Sequence, residues 1–351
     1  MDTQTVNLEG TTSMEPPEGT SFVYDTRSQL VVIVGSLLII IGILGSFGNL
    51  MVILAVSLCR NLQNKTHVFV VSLSVADFIT ALTLPFQGFS VLSETGWPFG
   101  NGLCKLFGAL LIFTLAVSFF TLAAIAVDRY IHITKSMRLQ QKIYTRSSIA
   151  IMVAFLWLFP FLGMVVPQLI PATGGIKYSP DTRTCGWDFG HPMHGVFRNI
   201  TSACAMFCTA LIIFCYVAIM LYVRRHIRET RDILRVSSGN INNLVASPTG
   251  SSKMQIDITK NMAVVIVAFF LCLLPYSCST YLYKPEICAS LFFFVLLTLS
   301  TCLNPMIYAV KHPTFKKVFK CMVYFRFHDI PRPSAWLKNI LRERNVASSR
   351  A

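Results

Sequence analysis

The sequence predicts an all-α membrane protein: a bundle of seven transmembrane helices followed by a short amphipathic cytoplasmic helix. Three observations predict it. Of 351 residues, 54% are hydrophobic and only 13% are charged, where a soluble domain carries about 25% charged residues. Seven windows of at least 22 residues contain a single charge, Asp77, and a spanning helix needs about 20 mostly apolar residues. The bases gather in alternate connections: 24 of the 30 Lys and Arg follow the first, third and fifth windows or lie in the C-terminal tail. The positive-inside rule puts those segments in the cytoplasm and the acidic N-terminal tail outside. A net charge of +14 would suit a nucleic-acid binder. Distributed this way it reports topology, and no nucleic-acid partner is expected.

The windows are Ser28–Cys59, Thr66–Ser93, Leu106–Val127, Ser147–Ile176, Asn199–Val223, Asn261–Tyr283 and Ile287–Val310. An outer tail, residues 1–28, precedes them, and the polarity of its first 20 residues predicts disorder. No basic n-region with a short apolar core opens the chain, so the first helix is expected to serve as the insertion signal. Within the bundle region, 29–310, the one long connection spans 224–260. It starts helical and basic and turns rich in Ser, Asn and Gly. Pro85, Pro160, Pro167, Pro275 and Pro305 fall inside windows and predict kinks. In 311–325, Phe315, Val318, Phe319 and Met322 share one helix face while Lys316, Lys317 and Lys320 lie elsewhere. That pattern suits a helix on the anionic inner leaflet, with Cys321 a palmitoylation candidate. Residues 326–351 read as a cytoplasmic tail.

Polar residues inside the windows carry the functional signal. An acid such as Asp77 costs about 2.5–3.5 kcal/mol at mid-membrane, so it needs interior partners. Asn49, Ser118, Ser300 and Asn304 are the candidates. Such oxygens suit a small hard cation such as sodium; the other reading is a protonated, hydrogen-bonded packing residue. The third window is bracketed by Cys104 and Asp128-Arg129-Tyr130. The helical rise between Cys104 and Arg129 is about 37 Å, which places the cysteine outside and the arginine inside. Cys185, in the next outer loop, shares the oxidising compartment, where a disulfide with Cys104 is permitted. Cys278 and Cys288 are candidates for a second bridge. Asn199-Ile200-Thr201 is a glycosylation sequon against the membrane.

These residues together resemble the rhodopsin-like class A G protein-coupled receptors over roughly 30–325. The resemblance rests on GNLMVI around Asn49, LSVAD around Asp77, Trp97, Cys104, DRY at 128–130, Trp157, Tyr216, Pro275 and NPMIY at 304–308. It implies a sodium pocket at Asp77, Ser118 and Asn304, with Ser300 where many members have Asn. It also implies that Arg129 is restrained at rest and turns toward a G protein on activation, and that Tyr216 and Tyr308 meet near it. Asp128, Tyr130 and Pro305 complete these motifs. The usual CWxP reads Cys272-Leu273-Leu274-Pro275, Cys208 replaces a common proline, and Gln255 stands where an acid often locks the resting state. Basal activity is therefore expected. VFVVSLSVADF, FLCLLPY and TLSTCLNPMIY resemble a group with the insect Moody and Trapped-in-endoderm receptors, medium-chain fatty acid receptor-like proteins and, more distantly, melatonin receptors.

The resemblance also says what the ligand is not. Amine receptors carry an acid seven residues after the bridging cysteine; here that residue is Leu111. A retinal Schiff base needs a lysine in the last window, and Ile287–Val310 has none. Leu111, Phe113, Leu273 and Tyr276 with basic Arg198 suggest a pocket for a lipid-like or small neutral-to-anionic molecule. The expected partners are an extracellular small-molecule ligand, a heterotrimeric G protein, arrestin, receptor kinases and membrane lipids, all at the plasma membrane. The alternative is a transporter or channel using Asp77 as a cation or proton site. DRY and NPMIY favour the receptor. No phosphate loop, nucleophile elbow or metal-site spacing suggests an enzyme.

Overall fold

The structure, a computed structural model, describes residues 18–65, 67–170, 174–180, 182–188, 190–237 and 287–348. Its long helices are α1 (Glu18–Leu58), α2 (His67–Leu92), α3 (Asn101–Thr134), α5 (Arg146–Pro160), α6 (His194–Ser237) and α7 (Ile287–Lys311), with a short α4 (Met137–Ile143). Among the described residues, six helices are long and apolar enough to cross a membrane. The expected span 261–283 lies outside the described residues.

Helices α1, α3 and α6 outrun their apolar windows. α1 begins at Glu18, inside the stretch expected as an outer tail. Pro16 and Pro17 stand just before it, and proline's fixed φ suits a helix start. α6 continues to Ser237, so the first part of the 224–260 connection prolongs the fifth span. α5 behaves oppositely. It stops at Pro160, and a π turn over Phe161–Val165 and a 3-10 turn over Val166–Leu169 finish the span. Pro160 and Pro167 each lack the N–H that an α ladder requires.

Small residues of α1 receive Pro85 and Pro305, while Pro275 lies outside the described residues. A Cβ on Gly42 would lie 2.5 Å from Pro85 Cδ of α2, and one on Gly48 2.9 Å from Pro305 Cγ of α7. Close backbone approach through small residues is how membrane helices gain van der Waals contact without a hydrophobic drive. Along the bundle two apolar clusters form. One contains Val34, Leu38, Leu84, Leu111 and Leu291, the other Val52, Leu73, Phe119, Ala126 and Tyr308. Asn49, Asp77, Ser118 and Asn304 fall in sequence between members of the two, making a buried polar belt. Ile43, Ile151 and Met206 are exposed apolar side chains on the outside, as a lipid solvent requires.

At one end a hairpin of β1 (Ile176–Ser179) and β2 (Thr184–Trp187) lies over α3, with Tyr178 opposite Cys185. At the other end the chain closes on itself. α8 (Pro313–Val323) buries Phe315, Val318 and Met322. Those side chains pack into the cluster of Val52 and Tyr308, and Phe319 stays half-buried. The tail that follows packs on the end of the bundle. Residues 327–334 return to the end of α1, where Ser334 N donates to Leu58 O (2.8 Å) and Arg60 N to Arg332 O (3.0 Å). Cys59 bridges Pro333, and its thiol donates to Pro331 O at 3.1 Å. Helix α9 (Ala335–Ser348) follows, with Leu337 buried beside Ile330. The apolar side chains of a short basic tail escape water by folding onto the bundle's end.

Candidate functional site: a polar belt, an arginine mouth and a clasped hairpin

The belt centres on Asp77, which is 2% exposed. Ser118 Oγ of α3 donates to its Oδ1 at 2.6 Å, and Asn304 Nδ2 of α7 donates to Oδ2 at 2.8 Å. Three helices are thus tied through one carboxylate. Two sequence candidates do not join it. Asn49 Nδ2 instead donates to Gly45 O and Thr301 O, both at 2.9 Å, linking α1 to α7. Ser300 Oγ turns back to Leu297 O at 2.6 Å, the ordinary way a buried helical serine satisfies itself. Asn49 and Ser300 are nonetheless both buried.

The Arg129 end is built on the last turns of α3. Asp128 is 2% exposed, and Arg129 Nε sits 3.8 Å from its Oδ2. His132, one turn on, places Nδ1 3.3 Å from Asp128 Oδ1. Tyr144 lies against His132, ring centroids 5.2 Å apart. Burial, then the Asp128 charge, pushes its phenol above the usual tyrosine range. α4 is pinned there by Gln140 Nε2 donating to His132 O and Lys135 O. Tyr130 faces Phe214 of α6 and carries Lys135 over its ring. The Arg129 charge acts on both Tyr216 of α6 and Tyr308 of α7. The Tyr216 hydroxyl is buried and makes no hydrogen bond among the described residues. Tyr308 stacks on Phe315 at 5.3 Å, so the mouth is continuous with α8. His312, between α7 and α8, is held down to about 4 by burial and then by Arg129, and its Nδ1 accepts from Phe315 N.

At the hairpin end Cys104 and Cys185 are disulfide-bonded, as the sequence suggested. Gln87, fully buried in α2, was missed in the sequence. Its Nε2 donates to Cys185 O at 3.2 Å, and its Oε1 accepts from Cys185 N at 2.9 Å. Ser90 adds a bond to Arg183 O at 2.7 Å. An uncharged amide inside an apolar window was the available signal. Of the proposed pocket residues, Leu111 lies in the core cluster nearer the hairpin. Phe113 faces Trp157 of α5 and Phe161 of the following π turn, ring centroids 5.8 and 5.9 Å away. Trp157 itself donates to Ser72 Oγ at 2.9 Å. Leu273, Tyr276 and Cys278 lie outside the described residues, and with them the Cys278–Cys288 pairing. Cys321 is half-buried and Asn199 exposed within α6.

Helices tied through a buried carboxylate, an arginine mouth and a disulfide-held hairpin define a seven-helix membrane receptor. The description "7 transmembrane receptor (rhodopsin family)" matches residues 48–308. The chain belongs to that family, a receptor family and not an enzyme family. It is similar to the "G-protein coupled receptor moody" of Drosophila melanogaster, 29% identical across 90% of this chain and 54% of the relative. Moody of Drosophila pseudoobscura pseudoobscura is 28% identical over 100% of this chain and 59% of its own length. Melanopsin of Podarcis siculus is 29% identical over 85% of this chain and 63% of its own. This chain therefore spans little more than half the length of these curated relatives. Squid rhodopsin shares the fold, with a TM-score of 0.72 and 23% identity over 87% of this chain and 88% of that one.

Proposed function

We propose that the protein is a plasma-membrane receptor that binds an extracellular ligand at its hairpin end and activates a heterotrimeric G protein at its Arg129 end. The N-terminus lies outside and the C-terminus in the cytoplasm, as the distribution of bases requires. One observation carries the reading: Arg129 is partly buried, 3.8 Å from Asp128, within electrostatic reach of Tyr216 and Tyr308. Among the described residues, a cation so placed is held by one charged neighbour at a distance too long for a strong ion pair. It is poised to exchange Asp128 for a partner's backbone when the helices part. Arrestin and receptor kinases would meet the same face, and inner-leaflet lipid the exposed Lys316, Lys317 and Lys320.

The belt fits a sodium ion. The Asp77 carboxylate keeps acceptor capacity beyond its two hydrogen bonds, and Ser118 and Ser300 add hydroxyl oxygens. These residues, with Asn304, would hold the ion and bias the resting arrangement of α2, α3 and α7. The transporter alternative has no observation in its favour: both Asp77 oxygens are engaged by neutral groups. The ligand is a non-amine molecule, because no acid occurs between Cys104 and Asp128.

The test is a ligand panel against several G-protein reporters in a heterologous cell, with Arg129→Ala as the comparison. A response abolished by that change at equal surface expression is expected. A response that survives it, or an ion flux in place of G-protein turnover, would overturn the reading.

A further inference from the structure

The Asp128 carboxylate is shared among several side chains at the Arg129 mouth. Arg129 Nε stands 3.8 Å from Oδ2 and makes no hydrogen bond among the described residues. The Tyr144 hydroxyl reaches the same carboxylate from the end of α4. His132, one helical turn beyond Asp128, sets its Nδ1 3.1 Å from Asp128 O and 3.3 Å from Asp128 Oδ1. Oδ1 is itself buried and without a hydrogen bond among the described residues. A buried carboxylate oxygen left without a hydrogen bond is costly, and a positive charge on His132 would relieve it.

The state of the ring follows from these neighbours. Both atoms facing Nδ1 are acceptors, so Nδ1 carries the hydrogen and Nε2 is the nitrogen that takes a second proton. His132 lies past the charge-free window that ends at Val127, and its side chain is 33% exposed. Protons from the aqueous side therefore reach it, while the Asp128 side chain, 2% exposed, stays inside. Around the ring stand Asp128 and Arg129 of α3. Tyr144 packs on it from the end of α4, and Lys65, before α2, donates to Tyr144 O at 2.9 Å. His67 of α2 couples to both Asp128 and Arg129, and Lys135 is turned over the Tyr130 ring.

We propose that His132 is a cytoplasmic proton-binding site that sets how firmly Asp128 holds Arg129. This inference rests on the receptor reading above and adds the regulation of its Arg129 mouth. With Nε2 protonated, the imidazolium neutralises Asp128 through Oδ1 and repels the guanidinium beside it. Arg129 then leaves Asp128 more readily. Linkage makes the effect reciprocal: an Arg129 that has swung away no longer opposes the proton, so the active arrangement binds the proton more tightly. Acid on the cytoplasmic side therefore raises basal turnover, and alkali lowers it.

The experiment uses the full-length receptor in phosphatidylcholine nanodiscs. Basal G-protein turnover is measured between about pH 6 and about pH 8, the range in which histidine titrates. His132 itself is followed by NMR of receptor carrying isotope-labelled histidine, its signal identified by its loss in His132→Asn. Asparagine places an amide nitrogen where Nδ1 stands but cannot be charged. The ratio of parent to His132→Asn at each pH therefore cancels the pH dependence of the G protein. That ratio is expected to rise about fivefold from the alkaline to the acid end, the low end of allosteric couplings. His132→Lys, charged throughout, should exceed His132→Asn at every pH. In Arg129→Gln, which silences turnover, His132 should bind its proton severalfold more tightly. That readout needs no G protein, so failure of the switch and failure of the receptor reading are distinguishable. A flat ratio, a His132→Lys no more active than His132→Asn, or a His132 titration unmoved by Arg129→Gln would overturn the proposal.

Discussion

Gln87 offers the sharpest perturbation of the hairpin end. In the β1–β2 register Cys185 stands opposite Tyr178, and its own N–H and C=O both turn to the Gln87 side chain. Leucine nearly matches glutamine in volume, so Gln87→Leu opens no sizeable cavity. What it removes is the partner of two buried backbone groups. Each stranded group costs about 1–3 kcal/mol, so the loss should reach about 2–6 kcal/mol where no water enters. The Cys104–Cys185 bond and the Ser90–Arg183 O contact remain, so the hairpin should loosen without detaching. Buried free thiols at Cys208, Cys215 and Cys302 make a thiol-reactive dye a reporter of unfolding in solubilised receptor. The melting midpoint should fall by several degrees, and by more for Gln87→Ala, which adds a cavity. A midpoint for Gln87→Leu within about 1 °C of the parent would refute the reasoning, since about 1 kcal/mol already moves a midpoint by about 2–4 °C in a large domain.

Three further outcomes are expected. Gly42→Val should block the seating of Pro85, because even its Cβ would sit 2.5 Å from Pro85 Cδ; surface expression should collapse, whereas Gly163→Val, with open space around it, should express normally. His312 has its pKa lowered from 6.5 to about 4, so the fold favours the neutral ring. Its contribution is complete above the unfolded value and is lost as pH falls from about 6.5 toward about 4; His312→Asn, which keeps a capping oxygen for Phe315 N, should flatten that part of a melting-temperature titration. Ile330→Ala should cost about 2–5 kcal/mol of local tail stability and speed proteolysis between α8 and α9, while cleavage of the hairpin stays unchanged.

Much of the architecture was legible because the bilayer imposes one-dimensional rules. Charge-free windows marked six described helices, and Cys104 and Cys185 were paired correctly from their position at one end. Asp77, Ser118 and Asn304 were also picked together, since a lone acid in apolar sequence must find nearby polar company. That Ser300 and Asn49 hydrogen-bond backbone carbonyls and not Asp77 was not legible, because hydroxyl and amide groups in helices can bond their own or a neighbouring backbone, and sequence does not say which. The docking of the tail was not legible, because its few apolar residues, Ile330 and Leu337, look unremarkable until the end of α1 is placed beside them.

The sequence by itself determined the spans, the isolated acid and the arginine at the end of the third helix, since hydropathy and charge are local and the membrane reads them locally. Tertiary structure alone decided which atoms meet: Gln87 with Cys185 across 98 residues, and Cys59 with Pro331 across 272. It also left Trp187 Nε1 and Gln168 Nε2 buried without a hydrogen-bond partner among the described residues. Such pairings depend on the rotation and depth of each helix, which a bundle fixes only when all its helices pack together.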